Sequence, residues 1–311
     1  MNDKTREQIE AMKNQTIGVE IEMNNITREK AARKVAEYFG TRAWNAAGEY
    51  GYYSWACKDQ QGRVWKFQRD VSIYGPDAEK CELVTPILTY DDIETLQELC
   101  RQLRHNGAKS DASRGCGVHI HIGANGHTPQ SLRNLANIMA SHESLIAEAL
   151  KLDRGRMNRY CRTVSKDFLV ELNRKKPKTM VALADTWYGS QNADYGRSAH
   201  YNESRYHMLN LHSFFEGKGV EFRLFQFDNF NPDAPAGKKG GLHAGQDADD
   251  LSLVDVADDP LFPGALDVQF GDGAVLNQRD TGFMGRGVDN QLCCHGKTPL
   301  YVNVSILPVR R

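Results

Sequence analysis

The sequence predicts an α+β protein: an antiparallel sheet with helices on one face and an open face lined by polar residues. Two observations carry this. Several short segments alternate strictly between apolar and polar side chains, the period of a half-buried strand, and their polar positions hold Glu, His and Arg. The segments between them carry a single apolar stripe behind a capping residue, as expected of helices packed on one side only.

The first strand is TIGVEIEM (16–23), with Ile17, Val19, Ile21 and Met23 on one face and Gly18, Glu20 and Glu22 on the other. Two carboxylates at this spacing lie about 7 Å apart. That suits two cations, or one cation and a substrate, better than a shared proton, although a solvated strand face also explains the pattern. RGCGVHIHIG (114–123) turns Val118, Ile120 and Ile122 inward and His119 and His121 outward. Histidines two apart on a strand serve as metal ligands or phosphate donors, and Gly115, Gly117 and Gly123 point to close approach by a ligand. GVEFRLFQF (219–227) sets Glu221 and Arg223 on one face, either as a surface ion pair or as a metal ligand beside a carboxylate clamp.

VWKFQRDVSI (64–73) reads as a strand with Lys66, Gln68, Asp70 and Ser72 on its polar side, and KCELVTP (80–86) adds Glu82. SRYHMLNLHSF (204–214) reads as the first arm of a β-hairpin, with Tyr206, Met208, Asn210 and His212 on one face and a turn at 216–219 leading into the Glu221 strand. Three helices alternate with these strands. One begins at Thr27 with Ala31, Val35 and Tyr38 or Phe39 as its stripe. A second starts from a Thr89/Asp92 capping box, carries Ile93, Leu96, Leu99, Cys100 and Leu103, and closes at Gly107. The third starts at Thr128-Pro129, where Pro in the first turn removes no needed donor.

Bulk properties narrow the setting. A net charge of −1 and a pI near 6.8 give no electrostatic reason to expect nucleic acid or an anionic membrane as partner. No run of 18 apolar residues is present, and the polar start MNDKTREQIEAMKNQ does not read as a signal peptide. The cysteines, seven in all, show no CxxC spacing, which fits a reducing compartment, and the cytoplasm is the expected location.

Composition breaks near residue 246. Residues 247–311 hold ten Asp, no Glu and five basic residues, and show no helical stripe. We therefore expect a catalytic domain over 16–246 and an atypical Asp/Gly-rich tail over 247–311. The tail reads either as a loop-rich β appendage or as non-native, disordered sequence from an altered reading frame.

Taken in order, GVEIEM, DVSI, CELVTPIL, GCGVHIHIG, RYHMLNLHS, GVEFRLFQF and GLHAGQ resemble the putative amidoligase family of the glutamine-synthetase and glutamate–cysteine-ligase superfamily. The resemblance implies a curved glutamine-synthetase-type catalytic sheet and an ATP- and Mg²⁺- (or Mn²⁺-) dependent carboxylate–amine ligase working through an acyl phosphate. It implies metal ligation by Glu20, Glu22, Glu82, His119 or His121, and Glu221. Arg223 is similar to the arginine that grips a substrate carboxylate or phosphate. His121, Arg205, Asn210 and His243 are implied on the nucleotide side, although His243 reads equally as the cap of a helix. Asp70 is the candidate for orienting the amine or taking its proton. The substrates would be small-molecule or peptide carboxylates and amines, and relatives that form rings make a homo-oligomer an option. Two rival readings share the scaffold: a guanidino-kinase-like phosphoryl transferase, and an inactive scaffold that binds nucleotide.

Overall fold

The computed structural model describes residues 3–124, 126–189, 197, 199 and 201–226; His243 and the expected tail lie outside them. Antiparallel pairing joins eight strands into one open sheet: β1 (Ile17–Met23), β2 (Trp44–Asn45), β3 (Trp55–Lys58), β4 (Val64–Gln68), β5 (Cys81–Val84), β6 (Val118–Ile122), β7 (Leu209–Asn210) and β8 (Val220–Phe225), in the spatial order β2-β3-β4-β5-β1-β6-β8-β7. The helices are α1 (Asp3–Lys13), α2 (Arg28–Phe39), α3 (Ala47–Tyr50), α4 (Ile93–His105), α5 (Pro129–Ala149), α6 (Arg154–Arg159), α7 (Lys166–Lys175), α8 (Met180–Tyr188) and α9 (His212–Phe215).

Strand alternation divides the sheet into two faces, as read from the sequence. Val19, Ile21, Trp65, Phe67, Leu83, Val118, Ile120, Phe222 and Leu224 are buried in one apolar cluster with Val35 and Phe39 of α2, Leu99 of α4, and Leu132, Leu135 and Met139 of α5. Burial of that area supplies the main drive for folding. The helix starts also agree. The Thr27 hydroxyl accepts from the Lys30 N–H, Thr89 and Asp92 form a capping box, and the Thr128 hydroxyl accepts from the Ser131 N–H.

Three readings need correction. The strand expected over 64–73 ends at Gln68, because the Asp70 carboxylate accepts from the Ser72 N–H at 2.6 Å and turns the chain. Val71, which strict alternation would set on the apolar face opposite Asp70, is 61% exposed. The strand expected over 204–214 pairs only at Leu209–Asn210, and α9 follows at once, with Asn210 Oδ1 accepting from the Ser213 N–H. Alternation at 206, 208, 210 and 212 therefore marks no shared face: Met208 is buried with the core, while Asn210 turns to Glu221. The polar face, finally, is more enclosed than the open face expected. Glu22, Glu82, His119, Glu221 and Arg223 are each no more than 6% exposed, and the Arg156 side chain of α6 reaches Glu22.

Candidate active site

Register decides which polar side chains meet. On the recessed face Gln68 stands opposite Glu82, and Glu82 opposite Glu22. Glu20 stands opposite His119, and His121 opposite Glu221, which in turn pairs with Asn210. Directly paired residues in antiparallel strands hold their Cβ atoms about 5 Å apart. Glu20, Glu22, Glu82, His119, His121 and Glu221, drawn from four adjacent strands, thus converge without any long-range loop. Between the Ile120–Phe222 and Val118–Phe225 pairs, β8 carries one residue more than β6, a bulge that re-aims the chain at Arg223.

Three sets of side chains have ligand atoms all within 4.8 Å of one another: Glu20, His121 and Glu221; Glu20, Glu82 and His119; and Glu22, Asp70 and Glu82. Glu20 and Glu82 each belong to two sets, so the sets form one continuous row. Asp70 reaches it because the turn that ends β4 carries its carboxylate back over the sheet. His119 Nδ1 lies 3.1 Å from Glu20 Oε2 and 3.8 Å from Glu221 Oε1, and His121 Nε2 lies 3.5 Å from Glu20 Oε1. Neighbours hold the row in place. Gln68 Nε2 donates to Glu82 Oε2 at 2.7 Å, Asn210 Nδ2 to Glu221 Oε2 at 2.6 Å, and Ser213 Oγ lies 3.2 Å from His121 Nδ1.

Crowding like charges in a buried place perturbs their protonation. Burial, reinforced by the negative charge of Asp70, pushes Glu22 up to about 8, against the pull of Arg156 and Arg223. Burial and then Glu20, Asp70 and Glu22 hold Glu82 well above the usual carboxyl range. Glu20 goes the other way: burial opposes ionisation, but hydrogen bonds from His119 and His121 outweigh it and hold the carboxyl low. Glu221 is likewise held low despite burial, chiefly by the Arg223 charge. Burial, then the Arg223 charge, lowers His119 to about 4, which leaves a neutral imidazole at physiological pH.

Such a donor set fits divalent cations. Its five carboxylates are hard oxygen ligands of the kind that Mg²⁺ and Mn²⁺ take, and its two imidazoles are borderline nitrogen donors. Glu22 Oε2 is buried with no hydrogen-bond partner among the described residues, an arrangement that a bound cation would relieve.

Arg223 is buried, with Nη1 donating to Glu221 Oε1 at 2.5 Å and its guanidinium 5.9 Å from the centre of the Tyr206 ring. Its Nε has no hydrogen-bond partner among the described residues. Arg205, expected on the nucleotide side, is placed by its ring contacts. It sits over Tyr201 and the Tyr206 ring, so one aromatic ring neighbours both arginines.

Sequence reasoning missed Arg156. This residue of α6 is 2% exposed, its Nη2 donates to the Arg223 carbonyl at 2.9 Å, and its Nη1 lies 3.9 Å from Glu22 Oε2. The glycines were the available signal, read toward the wrong neighbour. A Cβ at Gly117 would meet the Arg156 guanidinium, one at Gly123 the Thr16 hydroxyl, and one at Gly115 the Ser72 carbonyl at 2.8 Å. The close approach the structure shows at these glycines is to this chain's own groups.

The recessed face of the sheet thus gathers carboxylates, histidines and a buried arginine in one place. Residues 13–229, more than half of the chain, match the family model described as putative amidoligase enzyme, and the chain belongs to that family. No curated protein and no solved structure matches the chain. Among the described residues, no helix is long and apolar enough to cross a membrane.

Proposed function

We propose that the chain is an ATP- and divalent-metal-dependent carboxylate–amine ligase that works through an acyl phosphate. The observation that carries this reading is the continuous row of three ligand sets joined through Glu20 and Glu82. Glu20, His121 and Glu221 would hold one cation, and Glu82 with Glu22 and Asp70 or with His119 another. When bound, such ions neutralise and orient the phosphates of ATP.

A carboxylate does not condense with an amine in water, because its oxygen is a poor leaving group. Transfer of the γ-phosphoryl to the substrate carboxylate makes that oxygen part of a phosphate, which the amine then displaces. The protein's part is mainly positioning and charge neutralisation. Arg223, held in orientation by Glu221, would turn its remaining N–H groups to the substrate carboxylate or the phosphate, where a planar fork grips two oxygens. Asn210 and Gln68 keep Glu221 and Glu82 in fixed rotamers. With Glu22 and Glu82 within ligand reach of it, Asp70 reads better as a ligand than as the amine-orienting group that the resemblance suggested.

Incubating the chain with ATP, Mg²⁺ or Mn²⁺ and pooled amino acids and peptides tests the reading. The expected result is ADP release together with an acid-stable product lighter by one water than its two substrates. A phosphorylated guanidine, or no turnover with any pool, would count against it.

A further inference from the structure

Arg156 stands outside every ligand set, yet it is buried beside one of them. Its helix, α6, starts at Asp153, whose Oδ1 accepts from the Arg156 N–H and whose own N–H donates to Gln226 Oε1 just beyond β8. The side chain then runs over Gly117, where it occupies the space a Cβ would need. One nitrogen is bonded to the Arg223 carbonyl and another lies 3.9 Å from Glu22 Oε2. Among the described residues, that oxygen has no hydrogen-bond partner. With water excluded, attraction at this distance is barely screened.

We propose that Arg156 is a positioning residue, which seats on Gly117, ties to the β8 main chain and holds the Glu22 carboxylate beside Asp70 and Glu82 for a divalent cation. The inference rests on the metal-dependent reading above. It assigns α6 a function: to carry a fixed positive charge to the back of the row, where no ligand side chain supplies one. Arg156 is 2% exposed and belongs to none of the ligand sets, so its part is to act through Glu22.

Mn²⁺ binding to the full chain, followed by electron paramagnetic resonance, tests this with melting temperature as a parallel readout. R156M keeps an apolar stem and loses the charge, and the expected result is Mn²⁺ affinity about tenfold weaker at the weakest-binding site. R156K restores a charge, so its affinity should fall between those of R156M and the unaltered chain. G117A should reproduce the R156M loss by displacing the guanidinium, whereas adding G117A to R156A should change Mn²⁺ affinity no further. Unchanged affinity in R156M, with only the melting temperature lowered, would overturn the proposal and leave Arg156 a strut. If R156M does not fold, additive losses of affinity in G117A, R156A and their double variant would overturn it equally. Absence of Mn²⁺ binding by the unaltered chain would instead overturn the metal-dependent reading, and this inference with it.

Discussion

His119 and Glu20 face each other across the β1–β6 pair, joined Nδ1 to Oε2 at 3.1 Å, while the other oxygen of Glu20 lies 3.5 Å from His121. Glu20 is thereby held between both histidines of one strand, and it is the residue through which two of the ligand sets meet.

Glu20→Gln keeps the shape of the side chain and removes its charge. We expect turnover of ATP to drop about 100-fold, the scale of one lost electrostatic clamp. The rise in melting temperature on adding Mn²⁺ should also be lost, because a ligand stabilises the folded state only in proportion to its binding. Scanning fluorimetry with and without Mn²⁺ checks this, and an undiminished rise would remove Glu20 from the ligands.

Burial changes what Arg223→Lys should do. A surface clamp could be altered with little effect on melting, but Arg223 is 5% exposed and bonded to Glu221. Lysine cannot reproduce the two-sided fork, so Glu221 is left poorly paired in a buried place. We expect activity to fall and unfolding free energy to drop by about 2 kcal/mol, measured by urea denaturation. Unchanged stability would show that the pair is not formed in solution.

Gly115→Ala tests the turn that delivers Asp70. Gly115 has φ +83°, and a Cβ there would lie 2.8 Å from the Ser72 carbonyl. The backbone strain alone costs about 1–2 kcal/mol, and the clash pushes on the turn two residues from Asp70. We expect weaker Mn²⁺ binding in addition to lower stability. Lower stability with unchanged Mn²⁺ affinity would detach Asp70 from the ligand row.

Glu143 should make stability depend on pH. It is 3% exposed on α5, both its oxygens accept from the Val164 N–H, and burial raises its pKa to about 7. The unfolded chain ionises this group first, so its contribution is fully present below the ordinary carboxyl pKa. It is lost as pH rises toward and through 7. Glu143→Gln keeps an acceptor and cannot ionise. Between pH 5 and pH 8 the unaltered chain should lose about 3 kcal/mol relative to this variant, read from paired urea titrations. Parallel pH profiles would show that Glu143 is not buried as an acid.

Local sequence was enough to determine the strands and helices whose signals act over neighbouring residues. The alternation in 17–23 and 118–122 and the caps at Thr27, Thr89 and Thr128 all reappear in the structure, because side-chain period and capping are decided within one or two turns of chain. The same alternation misled at 69–73 and 204–214, where Asx-type bonds from Asp70 and Asn210 divert the backbone while the pattern of residue types continues. The candidate ligands Glu20, Glu22, Glu82, His119, His121 and Glu221 were legible as residues of polar strand faces, and the family resemblance grouped them. Which of them touch was decided only by register, since shifting one strand by a single residue would turn its carboxylate or imidazole into the core. Tertiary structure alone seated Arg156 on Gly117, 39 residues apart in the chain. No period or motif records that contact, because it depends on how α6 is anchored through Asp153 to the chain beyond β8.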